Sequence, residues 1–372
     1  MRTATLTIDQ SALSDNLSVI RSQVPPATRV LAMIKANAYG HGVANVLPSL
    51  MTADGFGVAT FNEGWEVYQV CQDLRQSKLI VLIEGVFSGD EWEQACDLGF
   101  GCVIHCHEQT EWALNHVPQA DSPTRTIWLK YNTGMNRLGF GRDEILPIAK
   151  ALHDKGYQLI LTSHFACADD KMHPLNKQQI TAFDSLLNEL QNTLNPNIQG
   201  SLCNSAGIFN FPQVHHHWVR AGIALYGGSP VAKNTANALN LRPVMSLTAK
   251  VMAIHQLNAG ETVGYGALWQ AVQPSRVGIV SIGYGDGYPR VVKGAWVTLT
   301  QDKQTYQAPI IGRVAMDMLM IDLTALPCAV GVGANVVLWG ASPTADEIAS
   351  CADTISYELF CRLTGRAVRL LV

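Results

Sequence analysis

From about residue 28 to residue 228, short apolar, β-branched runs alternate with longer stretches in which apolar residues recur at helical spacing, the signature of repeated βα units. The runs are VLAMIK (30–35), FGVAT (56–60), KLIVLI (78–83), GCVIH (101–105), TIWLKY (126–131), LILTSH (159–164), GSLCNS (200–205) and WVRAGIALYG (218–227). Eight strands that read as continuous apolar segments, because both faces are covered, predict a (β/α)8 barrel. An open doubly wound sheet is the competing arrangement. It would carry a Gly-rich phosphate fingerprint in its first turn, and this first turn reads KANAYGHG. After Pro230 the segment VAKNTANALN reads as a linker, and helical period then becomes scarce. VMSLTAKVMAIHQL, SRVGIVSIGYG, AWVTLT, MLMIDLT and ANVVLWG are strand-like and separated by turn residues, while TADEIASCA and YELFCRL read as short helices. The expected division is a barrel over residues 10–232 and a mostly antiparallel β domain over 233–372. The run TATLTID stands before the barrel and could serve either domain; the division adopted joins the strand of residues 1–9 to the β domain.

Composition narrows the function classes. The chain has 372 residues, 48% hydrophobic and 15% charged, with a formal net charge of −4 and both signs interspersed. That excludes a disordered or fibrous chain and gives no electrostatic footprint for nucleic acid or an anionic membrane. The N-terminus MRTATLTIDQSALSDNL lacks a secretory signal's apolar core, and no stretch reaches the length of a membrane span, so a cytoplasmic location is expected. Nine cysteines with no CxxC pair argue against a disulfide framework and a zinc knuckle. HHH (215–217) and HCH (105–107) look like metal tracts, but adjacent side chains point apart and neither has a second cluster, so no metal is expected.

A barrel of this kind concentrates its chemistry at the C-terminal ends of the strands, where the βα loops converge. Those ends carry Lys35, Glu84, His105, Lys130, His164, Asn204, Ser205 and Arg220. Lys35 follows VLAMI and opens into ANAYGHG beside Tyr39 and His41, a place where desolvation and nearby cations expose a free amine for Schiff-base chemistry. Phosphate sites often form in the loops after strands seven and eight, and Asn204, Ser205, Ala206 and Gly207 follow run seven while Ala221, Gly222 and Ile223 sit in run eight. The competing reading takes CNSAG as a helix cap and RAG as a close packing point.

Taken together, IKANAYGHG (34–42), WLKYNTGMNRLGF (128–140), SHFACADD (163–170), CNSAG (203–207), WVRAGIALYG (218–227), VGYGALW (263–269), GYGDGYPR (283–290), GRVAMDMLMIDL (312–323) and SYELFCR (356–362) resemble the alanine racemase family, in that family's order and over essentially the whole chain. The resemblance implies a pyridoxal-phosphate (PLP) enzyme acting on alanine, with Lys35 holding the cofactor covalently. It implies Tyr39, Asn204, Ser205, Gly222, Ile223 and Tyr357 around the phosphate, His164 beside the pyridine ring and Arg220 at the pyridine nitrogen. Arg137 would meet the substrate carboxylate, and Lys130 would be carbamylated. From the second domain come Tyr265 as the opposing acid/base, Tyr284 as a gate, and Met316 and Asp317 on the substrate side.

Racemisation removes the α-proton on one face and returns a proton on the other, so two groups must flank one carbon. By the family's assignment Tyr265 takes the proton from L-alanine and Lys35 takes it from D-alanine. A tyrosine acting near neutral pH needs cationic neighbours, for which His164 and Arg220 are the candidates. Arg220 also bears on reaction type, because an arginine leaves the pyridine nitrogen unprotonated and favours return of the proton over transamination. The related barrel decarboxylases typically place an acid there and a cysteine opposite the lysine. A lone barrel that only carries PLP is the non-enzymatic alternative; the β domain with VGYGALW and GRVAMDM argues against it. The resemblance further implies a homodimer in which the β domain of one chain covers the barrel mouth of the other, so that Lys35 and Tyr265 of one site come from different chains.

Overall fold

A computed structural model describes residues 4–231, 235–301 and 303–372 of the chain. The expected domain boundary at 232/233, and the start of the expected strand over 1–9, lie outside the described residues. Eight parallel strands follow one another around a barrel: β2 (Arg29–Met33), β3 (Gly55–Val58), β4 (Leu79–Leu82), β5 (Gly101–Ile104), β6 (Thr126–Lys130), β7 (Gln158–Thr162), β8 (Gln199–Ser201) and β9 (Trp218–Ala221). Hydrogen-bonded order runs β9-β2-β3-β4-β5-β6-β7-β8. No ladder joins β8 to β9, but His217 N–H donates to Gly200 O at 3.1 Å and Arg220 N–H to Cys203 O at 2.9 Å. Those two bonds bring the open edges together and close the barrel. Every residue of β3, β5 and β9 is buried, which is why β3 and β5 read as unbroken apolar runs and β9 is interrupted only by Arg220.

Each of the eight runs seen in the sequence overlaps a barrel strand, and two of them continue past it into a following helix or turn. In GSLCNS the strand ends at Ser201 and Asn204 caps the helix Ser205–Asn210. In WVRAGIALYG the strand ends at Ala221 and a 3-10 turn, Ile223–Tyr226, follows. An apolar run cannot mark that switch, because a buried strand and a buried turn leave the same composition.

The second unit is built on β10 (Met245–Leu257), β11 (Thr262–Val263), β12 (Trp269–Gln270), β13 (Ser275–Val280), β14 (Trp296–Gln301), β15 (Gln304–Ile311), β16 (Leu319–Asp322), β17 (Asn335–Trp339) and β18 (Val368–Leu371). β10 bends at a register shift between Val251 and Ala253; its first half pairs with β17 and its second with β13. The ring β10-β13-β16-β15-β14-β17 therefore closes on itself in antiparallel pairs. A bulge of this kind lets one long strand turn the corner of a barrel. β1 (Thr5–Ile8) pairs antiparallel with β10 and parallel with β18, so the first strand of the chain extends this second sheet. The strands β15 and β18 had no clear sequence pattern: β15 carries Pro309, and all four residues of β18 are exposed, leaving no alternation to read. Asn16 ties the two units, its amide donating to Leu225 O and Arg242 O at 3.0 and 2.8 Å. Among the described residues no helix is long and apolar enough to cross a membrane.

Candidate active site

The barrel mouth holds a cavity of 490 Å3 lined by Lys35, Tyr39, Lys130, Arg137, His164, Asn204, Ser205, Arg220, Gly222, Ile223 and Tyr357. Every barrel residue that the family resemblance implies thus reaches one space, with Glu84; of the strand-end candidates His105 does not, its Nε2 lying 3.0 Å from Glu84 O. A larger cavity of 760 Å3 opens at the opposite end of the strands, beside Lys78, Phe100 and Pro123, and holds none of them.

Arg220 is the electrostatic centre. It rises from β9 into the barrel and is buried. Its Nη1 donates to Ser201 O at 2.9 Å, Ser201 Oγ at 2.7 Å and Thr162 Oγ1 at 3.2 Å, and its Nη2 to Leu202 O at 3.1 Å and to Ser163 O. All these acceptors are neutral. Burial pushes the guanidinium pKa down to about 10, which still leaves it charged at neutral pH. His164 Nδ1 lies 3.3 Å from Arg220 Nη2, so that nitrogen is an acceptor. Burial first, and then Arg220, Lys130, Arg137 and Lys35, hold His164 well below the ordinary histidine range, as a neutral imidazole.

Lys130 ends β6 inside the same cluster. Burial, followed by Arg220, Arg137 and Lys35, lowers its ammonium well below the usual lysine range. Glu84 is the one acidic residue lining the cavity among the described residues, against four basic side chains, Lys35, Lys130, Arg137 and Arg220. The mouth is therefore made for anions.

A cradle lies at the other side of the cavity. Ser205 Oγ accepts from Gly222 N–H at 2.7 Å, fixing the start of the turn after β9 against the helix after β8. A Cβ on residue 222 would stand 2.7 Å from Tyr39 Oη and 3.8 Å from Ser205 Oγ, so only glycine leaves the space open. Tyr39 stacks on Tyr226 at 4.8 Å and leans on Tyr357 at 6.1 Å. Burial raises the pKa of both Tyr39 and Tyr357 above the ordinary phenol, keeping them as hydrogen-bond donors. Asn204 does cap a helix, its Oδ1 accepting from Gly207 N–H at 2.9 Å, and it lines the cavity as well. CNSAG therefore caps a helix and borders the cavity at the same time.

The residues expected from the second unit are gathered elsewhere. Tyr265 sits on a turn between β11 and β12 and is 70% exposed; Met316 is 53% exposed and Tyr284 36%. Tyr284 N–H donates to Ala315 O and Gly285 N–H to Met316 O, knitting the two loops together, and Asp317 pairs with Arg366 at 2.6 Å. None of these four lines the cavity of its own chain. The three histidines 215–217 diverge: His215 Nε2 meets Ile208 O, His216 packs on Phe183, and His217 Nδ1 accepts from Gly200 N–H. Among the described residues no cluster of three or more His, Cys, Asp or Glu could hold a metal.

One anchoring residue escaped the sequence reading. Glu63, on the helix Phe61–Asp73, accepts from the N–H of Ala36, directly after Lys35, at 2.8 Å. The pattern Thr60-x-x-Glu63 signals a capping box, but nothing in it tells that the carboxylate reaches a different strand.

A barrel mouth with a lysine, a buried arginine, a cradle left open at Gly222 and an anion-attracting wall suits an enzyme that handles a small anionic substrate with a phosphate-bearing cofactor. Family models for the alanine racemase N-terminal domain and the alanine racemase C-terminal domain match residues 8–230 and 244–371. An alanine racemase of Psychrobacter sp. is 52% identical, with 99% of each chain covered. The structure of alanine racemase from Acinetobacter baumannii aligns over 100% of both chains with a TM-score of 0.91 and 43% identity. That of alanine racemase from Bartonella henselae with covalently bound pyridoxal phosphate also aligns over 100% of both chains, with a TM-score of 0.87 and 28% identity. The chain belongs to the alanine racemase family.

Proposed function

We propose that this protein interconverts L- and D-alanine by two-base proton transfer at Cα, with PLP joined to Lys35. The observation that carries the reading is Arg220: a buried cation bonded only to neutral acceptors, beside Lys35 and the cradle. The residues fit the cofactor. Ser205, Tyr39, Tyr357 and the backbone at Gly222 and Ile223 suit a phosphate dianion, and the missing Cβ at 222 leaves it room. Lys35 supplies the amine that an aldehyde needs, and PLP when bound takes up the electron pair left as the Cα–H bond breaks.

The remaining chemistry belongs to the side chains. Arg137 holds the substrate carboxylate at the mouth. Lys130, whose free amine is favoured by burial and by the neighbouring cations, forms an N–C bond to CO2 and releases a proton, and the carbamate so made is an anionic acceptor for Arg137. Arg220 presents a donor where other PLP enzymes present an acid, which limits electron withdrawal and returns the proton to Cα. Lys35 Nζ removes the proton from D-alanine on one face, and Tyr265 Oη removes it from L-alanine on the other. Tyr265, exposed in its own chain, meets the substrate across a homodimer in which each β domain covers the partner's barrel. The same conversion serves either D-alanine supply for peptidoglycan or alanine catabolism.

The experiment is reductive trapping with borohydride followed by peptide mapping, together with α-proton exchange of alanine in D2O. Reduced cofactor on the Lys35 peptide and exchange with inversion are expected. Cofactor on another lysine, or bound cofactor without exchange, defeats the reading. For the dimer, Lys35→Ala and Tyr265→Ala chains are each inactive. Mixed, they form dimers with one site carrying both lesions and one carrying neither, so activity returns. Mixed dimers verified by mass that stay inactive place both residues of a site in one chain.

A further inference from the structure

The turn after Lys35 is left-handed for five successive residues: Ala36, Asn37, Ala38 and Tyr39 at φ of 52°, 52°, 53° and 51°, then Gly40 at 77°. Four of the five carry a Cβ and resist this conformation, so the run persists only where its surroundings over-determine it. A side chain does this at each end. At the far end His41, fully buried, directs Nδ1 at Ala38 O (3.1 Å) and Tyr39 O (2.9 Å), with its ring held between Tyr226 and Phe360. At the near end Glu63 spans two strands: Oε1 accepts from Ala36 N–H at 2.8 Å and Oε2 from Ala59 N–H at 2.7 Å. One carboxylate thereby ties the first left-handed residue to the end of β3. Lys35 immediately precedes that anchor, so any drift of Ala36 swings the base of the lysine side chain.

We infer that Glu63 is a positioning residue for Lys35 in proton transfer, fixing the Ala36 N–H so that Lys35 Nζ stays aimed at one face of the substrate's Cα. Glu63 does not line the cavity and touches neither substrate nor cofactor. The inference rests on the reading of Lys35 as cofactor lysine and base. Glu63→Gln keeps the shape but turns an NH2 toward one of the two amides, breaking half of the clamp. A catalytic group misplaced by about 1 Å loses on the order of 10²-fold in rate.

Rate alone would not separate positioning from a general loss of structure. L- and D-alanine have equal free energies, so kcat/KM must fall alike in both directions whatever the cause. The deuterium isotope effect does separate them. If the Lys35 step alone is slowed, the effect with α-deuterated D-alanine rises and that with α-deuterated L-alanine falls toward one. Glu63→Asp, which retains the charge but reaches only one amide, should lie between wild type and Glu63→Gln. Thermal midpoints and cofactor occupancy are measured in parallel. Isotope effects that are unchanged, or that move together in both directions, overturn the inference. Failure of both variants to fold also overturns it, by making Glu63 a residue of the fold. Borohydride trapping of the wild type is done first: cofactor away from Lys35 defeats the function proposed above, whereas trapping at Lys35 with symmetric isotope effects defeats this inference alone.

Discussion

Replacing Gly222 with alanine tests the cradle at its narrowest point. The added Cβ would stand 2.7 Å from Tyr39 Oη, well inside carbon–oxygen contact, so one of them must move. The tyrosine cannot retreat freely: it is 9% exposed and its ring stacks at 4.8 Å on Tyr226. Tyr226 in turn is fully buried and donates to Met33 O at 3.0 Å. The tyrosine hydroxyl should therefore be pushed off its line toward the phosphate. A hydrogen bond to a charged partner contributes about 1.5–3 kcal/mol. Its loss should weaken PLP binding by roughly 10- to 150-fold. The assay titrates the cofactor-free protein with PLP, following absorbance and tryptophan quenching, with inorganic phosphate as competitor. Thermal midpoints of the two cofactor-free proteins serve as the control for folding. Unchanged PLP affinity in a folded Gly222→Ala variant would refute the assignment of this space to the phosphate, whatever happened to activity.

Other outcomes follow from the same geometry. Arg220→Glu should raise the ratio of pyruvate formed to alanine inverted, because a carboxylate stabilises a protonated pyridine nitrogen; it should also lower the thermal midpoint, since Ser201 O and Leu202 O lose their donor. An unchanged ratio removes the argument for Arg220. Lys130 should give a carbamate resonance on exposure to 13C-bicarbonate that disappears in Lys130→Ala, and a wild-type sample without that resonance at neutral pH contradicts the proposal. Burial holds His41 down to about 4, below its unfolded value of about 6.5. Between those values the unfolded chain binds a proton that the fold does not, so stability present above pH 6.5 is lost as pH falls toward 4, by about 3 kcal/mol for this group. Denaturant titrations across that range should show a shallower pH slope for His41→Asn than for wild type; equal slopes would mean that His41 titrates freely in the fold.

The barrel was legible because most of its strands are buried on both faces, which writes them as largely apolar runs, as in β3, β4 and β5. The antiparallel unit was legible less completely. β10, β13, β14, β16 and β17 announce themselves by β-branched residues between turn signals, but β18 is wholly exposed and β15 contains a proline, so neither carries the pattern that burial imposes. What no pattern records is closure. Whether β10 serves one sheet edge or two depends on a bend at Val251/Ala253, and the seam between β8 and β9 rests on two isolated backbone bonds.

The site divides along the same physical line. Lys35, Lys130, His164, Arg220 and the pair Ser205/Gly222 could be placed from the sequence because a closed barrel sends all its strand ends to one mouth, whichever strands supply them. Glu63 could not, because its service to Ala36 depends on the distance between two neighbouring strands, and a Thr-x-x-Glu pattern at a helix start has a sufficient local explanation. Tyr265, Met316 and Asp317 mark a third case, in which the residues are recognisable and only the dimer proposed above would give them a place at a site, in the partner chain. Tyr265 and Leu268 are 70% and 62% exposed beside Met316 at 53%, a degree of apolar exposure that a lone chain gains nothing by keeping. The mouth, meanwhile, holds Lys35 but none of Tyr265, Tyr284, Met316 and Asp317 of its own chain. Chemistry at a carbon that must be approached from both sides needs a second base, and the twofold axis of the proposed dimer would supply it by carrying the exposed surface around Tyr265 to the partner's mouth.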